Sequence, residues 1–351
     1  MDFTTLENTI RRLSPDRLFV LTDTNTVTAC LPLLRTAPCM AGAEVITIEA
    51  GDEHKTIEAV CHVWGELGRL RASRRSLLVA LGGGMVTDLG GFAASTFKRG
   101  IAFVNVPTTL LAMVDASTGG KTGINFGGLK NEVGVFRDAE AVVICPEFLA
   151  TLDRPNLLSG YAEMLKHAVI STPRHLADIL TFASTLYTLH STLSPSHSAL
   201  CTLHSIISES LAVKHRIVEE DPHEHGIRKA LNLGHTIGHA LESLAMSQGQ
   251  PVLHGYAVAW GLVGELYLSV VRCGFPADTM RQVVQFVREH YGDCPITCND
   301  YDALVALMTH DKKNHGGEIL CTLMGGVGDI RINQPLVREE IFEALDFLRE
   351  G

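Results

Sequence analysis

Three histidines that are close together in the sequence have the residue type and spacing of metal ligands. His235 and His239 are four residues apart in LNLGHTIGHALE, and His254 follows after a polar, glycine-containing break. Two histidines at this spacing lie on one face of a helix. Thr236 occupies the position at which a zinc protease of the H-E-x-x-H class has its glutamate base. The pattern therefore predicts a metal site that does not perform protease chemistry.

A carboxylate that could complete this site occurs earlier in the chain. In GYAEMLKHA, Glu163 and Lys166 are three residues apart and share a helical face. Two histidine nitrogens and one carboxylate oxygen form a common catalytic zinc set that leaves one position open. From residue types alone, the candidate ligands are Glu163, His235, His239 and His254.

Cationic side chains that suit an acidic, phosphorylated substrate recur along the chain. Lys121 and Lys130 lie with Asn131 in a predicted loop, TGGKTGINFGGLKNEVG, whose glycines disfavour a helix and let the backbone fold closely around a small ligand. Further cations are Lys166, Lys214, Arg228, Lys312 and Lys313. Because the formal net charge of the chain is −10, a local concentration of cations predicts an anionic substrate.

A glycine-rich elbow, LGGGMVTDLGGFAAS, follows a predicted strand and opens a predicted helix. Glycines at such a turn let the backbone approach a phosphate, and a helix N-terminus favours an anion. The spacing matches neither G-x-G-x-x-G nor a P-loop. Two interpretations remain open, nucleotide binding or a tight turn with close helix–strand packing. Asp88 would bond a cofactor hydroxyl in the first and cap the helix in the second.

The elements that would position these residues change in character near residue 153. Before it, the apolar runs RLFVLTD, EVITIEAG, SLLVALGGG, IAFVNVPTT and AVVICP alternate with helical stretches such as TIEAVCHVWGELGRL, which predicts a parallel sheet. After it the patterns are helical, with STLSPSHS as a helix–helix connection and GEILCTLMGGVGDIRIN as a late hairpin. We predict an α/β domain over residues 1–153 and a mostly α-helical domain over 154–351. We expect a ligand site in the cleft between them, at the carboxyl ends of the strands.

The composition excludes several classes of protein. Of 351 residues, 46% are apolar, which is enough for a large core, and the acidic balance argues against a nucleic-acid binder. The nine cysteines form no C-x-x-C pair, which fits a reducing compartment. The N-terminus is unlike a signal peptide, and no apolar run approaches the roughly 18 residues that span a membrane. We expect a cytoplasmic protein that binds neither nucleic acid nor membrane.

Several motifs in a fixed order resemble those of a known family. They are TDTN, GGGMVTDLGGFAAS, VPTTLLAMVDASTGGKTGIN, GLKNEVG, AEMLKH, LNLGHTIGHALE, LHG and DKK. In this combination the chain resembles the 3-dehydroquinate synthase family of the sugar-phosphate cyclase superfamily, from about Asp23 to about Gly328. It departs from the common pattern at Thr87, where glycine is usual, at Asp52, where glutamate is usual, and at Tyr256, where an acidic residue is frequent.

The resemblance implies a dehydroquinate synthase-like fold, with an α/β NAD-binding domain, a mostly α-helical metal-binding domain and assembly into a homodimer. It implies that Glu163, His235 and His254 hold one divalent ion, zinc or cobalt, while His239 faces the substrate. The implied contacts to tightly bound NAD are Asp23, Asn25, Asp52, Lys55, Gly83, Gly84, Asp88, Thr108, Thr109, Lys121, Lys130, Phe148 and Thr151. The implied catalytic residues are Lys121, Lys166, Asn232, His239 and Asp115. The implied substrate-binding residues are Arg99, Asn131, Lys214, Arg228 and the pair Lys312 and Lys313.

The resemblance also implies a reaction of the shikimate pathway, in which 3-deoxy-D-arabino-heptulosonate 7-phosphate becomes 3-dehydroquinate and phosphate. The implied steps are oxidation by NAD, β-elimination of phosphate, reduction, ring opening and an intramolecular aldol closure. The alternatives are another sugar-phosphate cyclase, an amino-dehydroquinate synthase, a polyol dehydrogenase that uses metal and NAD, and a nucleotide-binding regulatory protein. Lys214 and Arg228 favour an acid substrate, and the metal ligands argue against a regulatory protein.

Overall fold

A computed structural model describes residues 1–127, 129–191, 197–309 and 318–350, with the side chains in these ranges except those of 183–200. The chain divides into two compact units. One comprises Met1–Asp153 with Leu193–Ser205, and the other comprises Arg154–Thr192 with Ile206–Gly351. Lys312 and Lys313 lie outside the described residues, as does most of the predicted connection STLSPSHS.

The first unit is built on a four-stranded parallel sheet. Its strands are Leu18–Asp23 (β1), Glu44–Ile48 (β2), Leu77–Gly82 (β3) and Ala102–Pro107 (β4). Their order is β2–β1–β3–β4. Every residue of β3 is buried, as expected of a central strand that is covered on both faces. The helices of this unit are Thr4–Leu13 (α1), Thr26–Ala29 (α2), Leu31–Leu34 (α3), Ile57–Arg69 (α4) and Gly84–Thr96 (α5).

The predicted fifth strand, over AVVICP, is reduced to a single parallel bridge between Asn105 and Val142. Asn105 N donates to Ala141 O at 3.0 Å, and Val143 N donates to Asn105 O at 2.9 Å. The ladder goes no further, and a 3₁₀ helix begins at Pro146. The prediction of a strand here is therefore wrong, whereas the other four strands are confirmed.

The glycine-rich segment that was expected to wrap a ligand as a loop forms a β-hairpin. Its antiparallel strands are Lys121–Phe126 (β5) and Leu129–Phe136 (β6). The expectation that this segment is not a helix is confirmed. Just before the hairpin, Ala112–Ala116 forms a π-helical turn that contains Asp115. Turns of this kind are rare in proteins, and those that occur are often found at functional sites.

The rest of the described chain is mostly helical. Its helices are Arg154–Val169 (α6), Pro173–Ser191 (α7), His197–Glu220 (α8), His235–Ser247 (α9), His254–Cys273 (α10), Ala277–Tyr291 (α11), Tyr301–Thr309 (α12) and Arg338–Glu350 (α13). The late hairpin is confirmed as the antiparallel pair Ile319–Gly326 (β7) and Asp329–Leu336 (β8). Among the described helices, none combines the length and the apolar character that crossing a bilayer demands.

Helix α10 forms the centre of the second unit. It packs against α6, α9, α11 and α13, and most of its residues are buried. A Cβ atom at Gly255 would lie 1.9 Å from the carbonyl oxygen of Ser159 on α6, so only glycine allows the two helices to approach this closely. His254 adjoins Gly255, and Glu163 lies one turn after Ser159. The close packing of these helices therefore brings two predicted metal ligands together.

Candidate functional site

Four predicted site residues converge in the second unit. Oε1 of Glu163 lies 3.4 Å from Nε2 of His235 and 3.4 Å from Nε2 of His254. One ring nitrogen from each of His235, His239 and His254 lies within 4.8 Å of the others. Glu163 is fully buried, and its Oε1 makes no hydrogen bond within the described residues. A buried carboxylate oxygen that faces two ring nitrogens without such a bond fits a set of metal ligands.

The second ring nitrogens of two histidines are also held by oxygen atoms. Nδ1 of His235 lies 3.1 Å from the carbonyl oxygen of Leu233, and Nδ1 of His254 lies 3.2 Å from Oε2 of Glu242. An oxygen acceptor at Nδ1 places the proton of a neutral ring there and leaves the Nε2 lone pair directed at the site. Metal-binding histidines are commonly oriented in this way. The geometry therefore fits Glu163, His235 and His254 as the ligand set.

The charges in this cluster compensate each other in the absence of a metal. Nζ of Lys166 forms a buried ion pair with Oε2 of Glu163. Burial raises the pKa of Glu163, but the charge of Lys166 opposes this and holds that pKa well below its usual range. Burial lowers the pKa of His235 to about 3. Burial also lowers the pKa of His254, but the neighbouring carboxylates of Glu163 and Glu242 outweigh it and raise that pKa to about 10.

Helix α9, which begins at the ligand His235, is anchored at its N-terminus by a buried carboxylate. Glu265 accepts hydrogen bonds from the backbone N–H groups of Gly234 at 2.6 Å, Thr236 at 2.9 Å and Ile237 at 3.2 Å. These donors have no partner within their own helix, so the carboxylate satisfies them and favours the positive end of the helix dipole. Glu265 belongs to α10 and is fully buried.

The sequence interpretation did not identify Glu242 or Glu265. A signal existed for Glu265, which is the only charged residue from Ala257 to Val271 and therefore needed a buried partner. A weaker signal existed for Glu242, which follows His239 by three residues and shares a helical face with it. Only the packed structure shows which groups these carboxylates contact.

A 3₁₀ segment, Ile227–Asn232, carries two more of the predicted residues to within a few positions of His235. Arg228 is 3% exposed, and its Nη1 donates to the carbonyl oxygen of Pro222 at 2.5 Å. Asn232 donates from Nδ2 to Oε1 of Glu224 at 2.8 Å. Lys214, on α8, is 6% exposed. The second unit thus buries two cations in addition to Lys166.

Several predicted cofactor residues of the first unit lie at the carboxyl edge of its parallel sheet. Asp23 ends β1, and those that follow β3 and β4 are Gly83, Gly84, Thr108 and Thr109. Gly83 is the N-cap of α5, and no side chain caps this helix. A Cβ at Gly83 would lie 3.0 Å from Cγ2 of Thr109, and one at Gly84 would lie 3.1 Å from Cβ of Ala116. A glycine-lined, uncapped helix N-terminus fits the phosphates of a nucleotide such as NAD.

Lys55 connects this elbow to the hairpin. Its Nζ donates to Oδ2 of Asp88 at 2.6 Å and to Oδ1 of Asn131 at 2.5 Å, and the side chain is 3% exposed. Nζ of Lys130 lies 3.1 Å from Oδ2 of Asp52. The structure thus joins five predicted ligand-binding residues through three polar contacts. Asn131, predicted to bind substrate, contacts the predicted cofactor residues.

Other predicted residues of the first unit have evident roles in its own structure. Oδ1 of Asp23 accepts from the backbone N–H of Asn25 at 2.9 Å and of Thr26 at 2.7 Å, which closes the turn after β1. Phe148 is fully buried, and its carbonyl oxygen accepts a hydrogen bond from Oγ1 of Thr151 at 2.7 Å. These contacts neither require nor prevent a role in cofactor binding.

Two predicted cations of the first unit are exposed. Lys121 begins β5. Arg99 has a φ of +69° and precedes β4, so it lies at the amino edge of the sheet, opposite the elbow. The structure therefore does not bring Arg99 together with Gly84 or Thr108 within one chain.

Comparisons with known proteins identify the family. The family models for the N-terminal and C-terminal domains of 3-dehydroquinate synthase match residues 45–159 and 160–314. A 3-dehydroquinate synthase of Parabacteroides distasonis is 53% identical over 346 residues, which cover 99% of this chain and 95% of that protein.

Two solved structures share the fold and confirm the predicted fold class. A 2-epi-5-epi-valiolone synthase from Streptomyces hygroscopicus subsp. jinggangensis, with NAD⁺ and Zn²⁺ bound, has a TM-score of 0.80 and 27% identity, covering 95% of this chain and 90% of that one. A 2-deoxy-scyllo-inosose synthase complexed with carbaglucose-6-phosphate, NAD⁺ and Co²⁺ has a TM-score of 0.80 and 25% identity, covering 99% and 94%. With both domain models matched and more than half of its residues shared with the bacterial relative, the chain belongs to the 3-dehydroquinate synthase family.

Proposed function

We propose that this chain is an enzyme that converts 3-deoxy-D-arabino-heptulosonate 7-phosphate to 3-dehydroquinate and phosphate, with NAD and one divalent metal, zinc or cobalt, as cofactors. Beyond family membership, the observation that carries the proposal is the pair of buried cations Lys214 and Arg228 in the unit that contains the metal ligands. A buried cation can bind an anionic ligand strongly, because the contact is charge-assisted and water competes little for it. A substrate carboxylate is such a ligand, and it distinguishes the heptulosonate phosphate from sugar phosphates that have no carboxylate.

The residues fit the two cofactors in separate units. Glu163, His235 and His254 would hold the metal, and the elbow at Gly83 and Gly84 would hold the phosphates of NAD. When bound, NAD supplies reversible hydride transfer, and the divalent ion supplies Lewis-acid polarisation of oxygen atoms. The protein positions the substrate for both.

The remaining polar side chains would orient the substrate. Lys166 would donate a hydrogen bond from Nζ to a substrate hydroxyl, while its charge keeps Glu163 ionised. Asn232, held by Glu224, would present its amide to a second hydroxyl, and Asp115 would accept from a third. His239, beside the two histidine ligands, would face the phosphate. Charge-assisted bonds of this kind are stronger than neutral ones and fix a flexible substrate in one geometry.

The substrate has two anionic ends, and a separate group of polar side chains would bind each of them. Lys214 and Arg228 would bind the carboxylate, Arg228 with its planar pair of donors. Lys121 and Asn131 would bind the phosphate, together with Arg99 and the pair Lys312 and Lys313. The cations that bind the phosphate would also stabilise its charge as it leaves in the elimination.

The assay that tests this function measures phosphate release and NADH together. With the heptulosonate phosphate, the purified chain should release one phosphate per turnover, and this release should require NAD and stop when a chelator removes the metal. Absorbance from NADH should show no net rise, because the hydride returns to the substrate within one turnover. Stoichiometric accumulation of NADH would instead identify a polyol dehydrogenase, and turnover without metal or NAD would contradict the proposal.

We also propose that the chain forms a homodimer through the hairpin of the first unit. Phe126, Leu129 and Phe136 are 55%, 57% and 57% exposed. Strand β6 has eight residues, and in the described chain it pairs with β5 alone. A long, apolar edge strand is an aggregation hazard unless another surface covers it. A second copy would cover it and could present Arg99, which lies away from the elbow of its own chain.

Charged substitutions on this hairpin should separate the subunits. Leu129→Lys with Phe136→Lys should convert a dimer into a monomer in sedimentation velocity at micromolar concentration, because a buried lysine without a partner opposes association. Val271→Lys is the matched control, since Val271 is 59% exposed on the other unit and should leave the assembly unchanged. A doubly substituted hairpin that still sediments as a dimer would place the interface elsewhere.

A further inference from the structure

We propose that Glu242 is a positioning residue that fixes the ring of His254 for metal binding. The proposal rests on the metal site described above and concerns a residue that touches neither metal nor substrate. Oε2 of Glu242 lies 3.2 Å from Nδ1 of His254, and the same ring directs Nε2 to within 3.4 Å of Oε1 of Glu163. The ring is therefore held at Nδ1 while its Nε2 faces the other ligands.

The two histidine ligands differ in how their Nδ1 atoms are held. His235 uses the carbonyl oxygen of Leu233, two residues away in the chain, so its orientation follows from the local backbone. His254 begins α10 and is 28% exposed at its side chain, and Glu242 supplies its Nδ1 contact from another helix, α9. The side chain of Glu242 is only 8% exposed, so water competes little for the contact. Removing Glu242 would allow the ring of His254 to rotate.

The support for His254 is rigid because α9 is itself anchored on α10. Glu265, on α10, accepts three backbone N–H groups at the N-terminus of α9, where His235 begins the helix. Glu242, on α9, in turn contacts His254 at the N-terminus of α10. Each helix thus supplies the carboxylate that holds the other helix near its metal ligand. This reciprocal arrangement fixes the two helices to each other at the ends that carry the metal ligands.

A carboxylate in this place would do more than orient the ring. Hydrogen bonding from Nδ1–H to an anion makes Nε2 a better electron donor to a metal, and the negative charge offsets part of the charge of a divalent ion. An amide of the same shape offers an oxygen acceptor but no charge. Glu242→Gln therefore tests the charge with little change in packing, and Glu242→Ala tests the whole contact.

The experiment uses the full chain stripped of metal and titrated with Co²⁺ alone, in competition with a chelator. Glu242→Gln should weaken Co²⁺ binding by about 10- to 100-fold, the range found for outer partners of metal-binding histidines. It should also shift the visible d–d absorption of the bound Co²⁺, which reports ligand geometry and which a change in global stability alone would not move. Glu242→Asp, which keeps the carboxylate, should recover part of the affinity that Glu242→Ala loses.

The matched control is Glu340→Gln. Glu340 also pairs with α10, through Arg272 at 3.5 Å at the far end of the helix, so its replacement removes one charge without approaching the site. This variant should bind Co²⁺ as the unsubstituted chain does. Wild-type affinity and an unchanged spectrum in Glu242→Gln and Glu242→Ala would overturn the inference and leave the proposed function standing. Failure of the unsubstituted chain to bind Co²⁺ would overturn both.

Discussion

Replacing His235 or His254 by alanine should lower metal affinity by more than about 100-fold, which is the upper limit for losing only an outer partner of a ligand. Each histidine supplies an Nε2 atom 3.4 Å from the same carboxylate oxygen of Glu163, so each removal leaves two of three protein donors. Phosphate release should fall with bound metal. Elemental analysis of the purified variants, with turnover in the presence and absence of added Zn²⁺, measures both effects.

His239→Ala is the control that separates a ligand from a neighbour. Its ring centroid lies 5.1 Å from that of His235 and 5.8 Å from that of His254, so the substitution removes the same chemical group from the same cluster. We expect this variant to keep its metal and to lose rate, because His239 would act on the substrate. Loss of metal from His239→Ala together with its retention in His254→Ala would show that the ligand set is assigned incorrectly.

The sequence predicted the positions of strands better than the contacts of site residues. Apolar runs bounded by glycine or threonine located β1 to β4, because a strand buried on both faces has few other solutions. The same reasoning failed at Ala141–Pro146, where an apolar run forms only one bridge to the sheet before a 3₁₀ helix begins. The glycine content also predicts a loop over residues 118–134, whereas the structure pairs two strands of this segment as a hairpin.

The candidate metal site shows the same limit in physical terms. Spacing placed His235 and His239 on one helical face and could not decide which of them binds the metal. That decision depends on helix packing, since the close approach at Gly255 brings His254 opposite Glu163. It also depends on partners at Nδ1: Glu242 ends the motif LNLGHTIGHALE, but its contact with His254 follows from the packing of two helices. A sequence pattern identifies donor types, whereas the packing of α6, α9 and α10 determines which donors converge.

Arg228→Ala should strongly lower kcat/KM for the heptulosonate phosphate, because Arg228 is proposed to bind the substrate carboxylate and its side chain is only 3% exposed. Removing one partner of a buried, charge-assisted contact costs about 2–5 kcal/mol. At about 1.4 kcal/mol per factor of ten, this is roughly a 30- to several-thousand-fold loss in kcat/KM. The measurement is kcat/KM for the heptulosonate phosphate and for an analogue that lacks the carboxylate, on both the unsubstituted chain and the variant.

The comparison of the two substrates makes this prediction specific to the carboxylate. The analogue lacks the carboxylate and never forms the contact, so Arg228→Ala should narrow the difference in kcat/KM between the two compounds. A general loss of folded protein would lower both values equally and would leave their ratio unchanged. Arg216 is an exposed cation on α8 in the same unit, so Arg216→Ala controls for the loss of positive charge and should preserve the ratio.

Equal losses on both compounds in Arg228→Ala would disprove the carboxylate role, because a residue that binds that group cannot affect a substrate without it to the same extent. The chain would then have to be interpreted as a cyclase of a sugar phosphate that has no carboxylate. Arg228 would in that case support the 3₁₀ segment Ile227–Asn232 through its bond to Pro222.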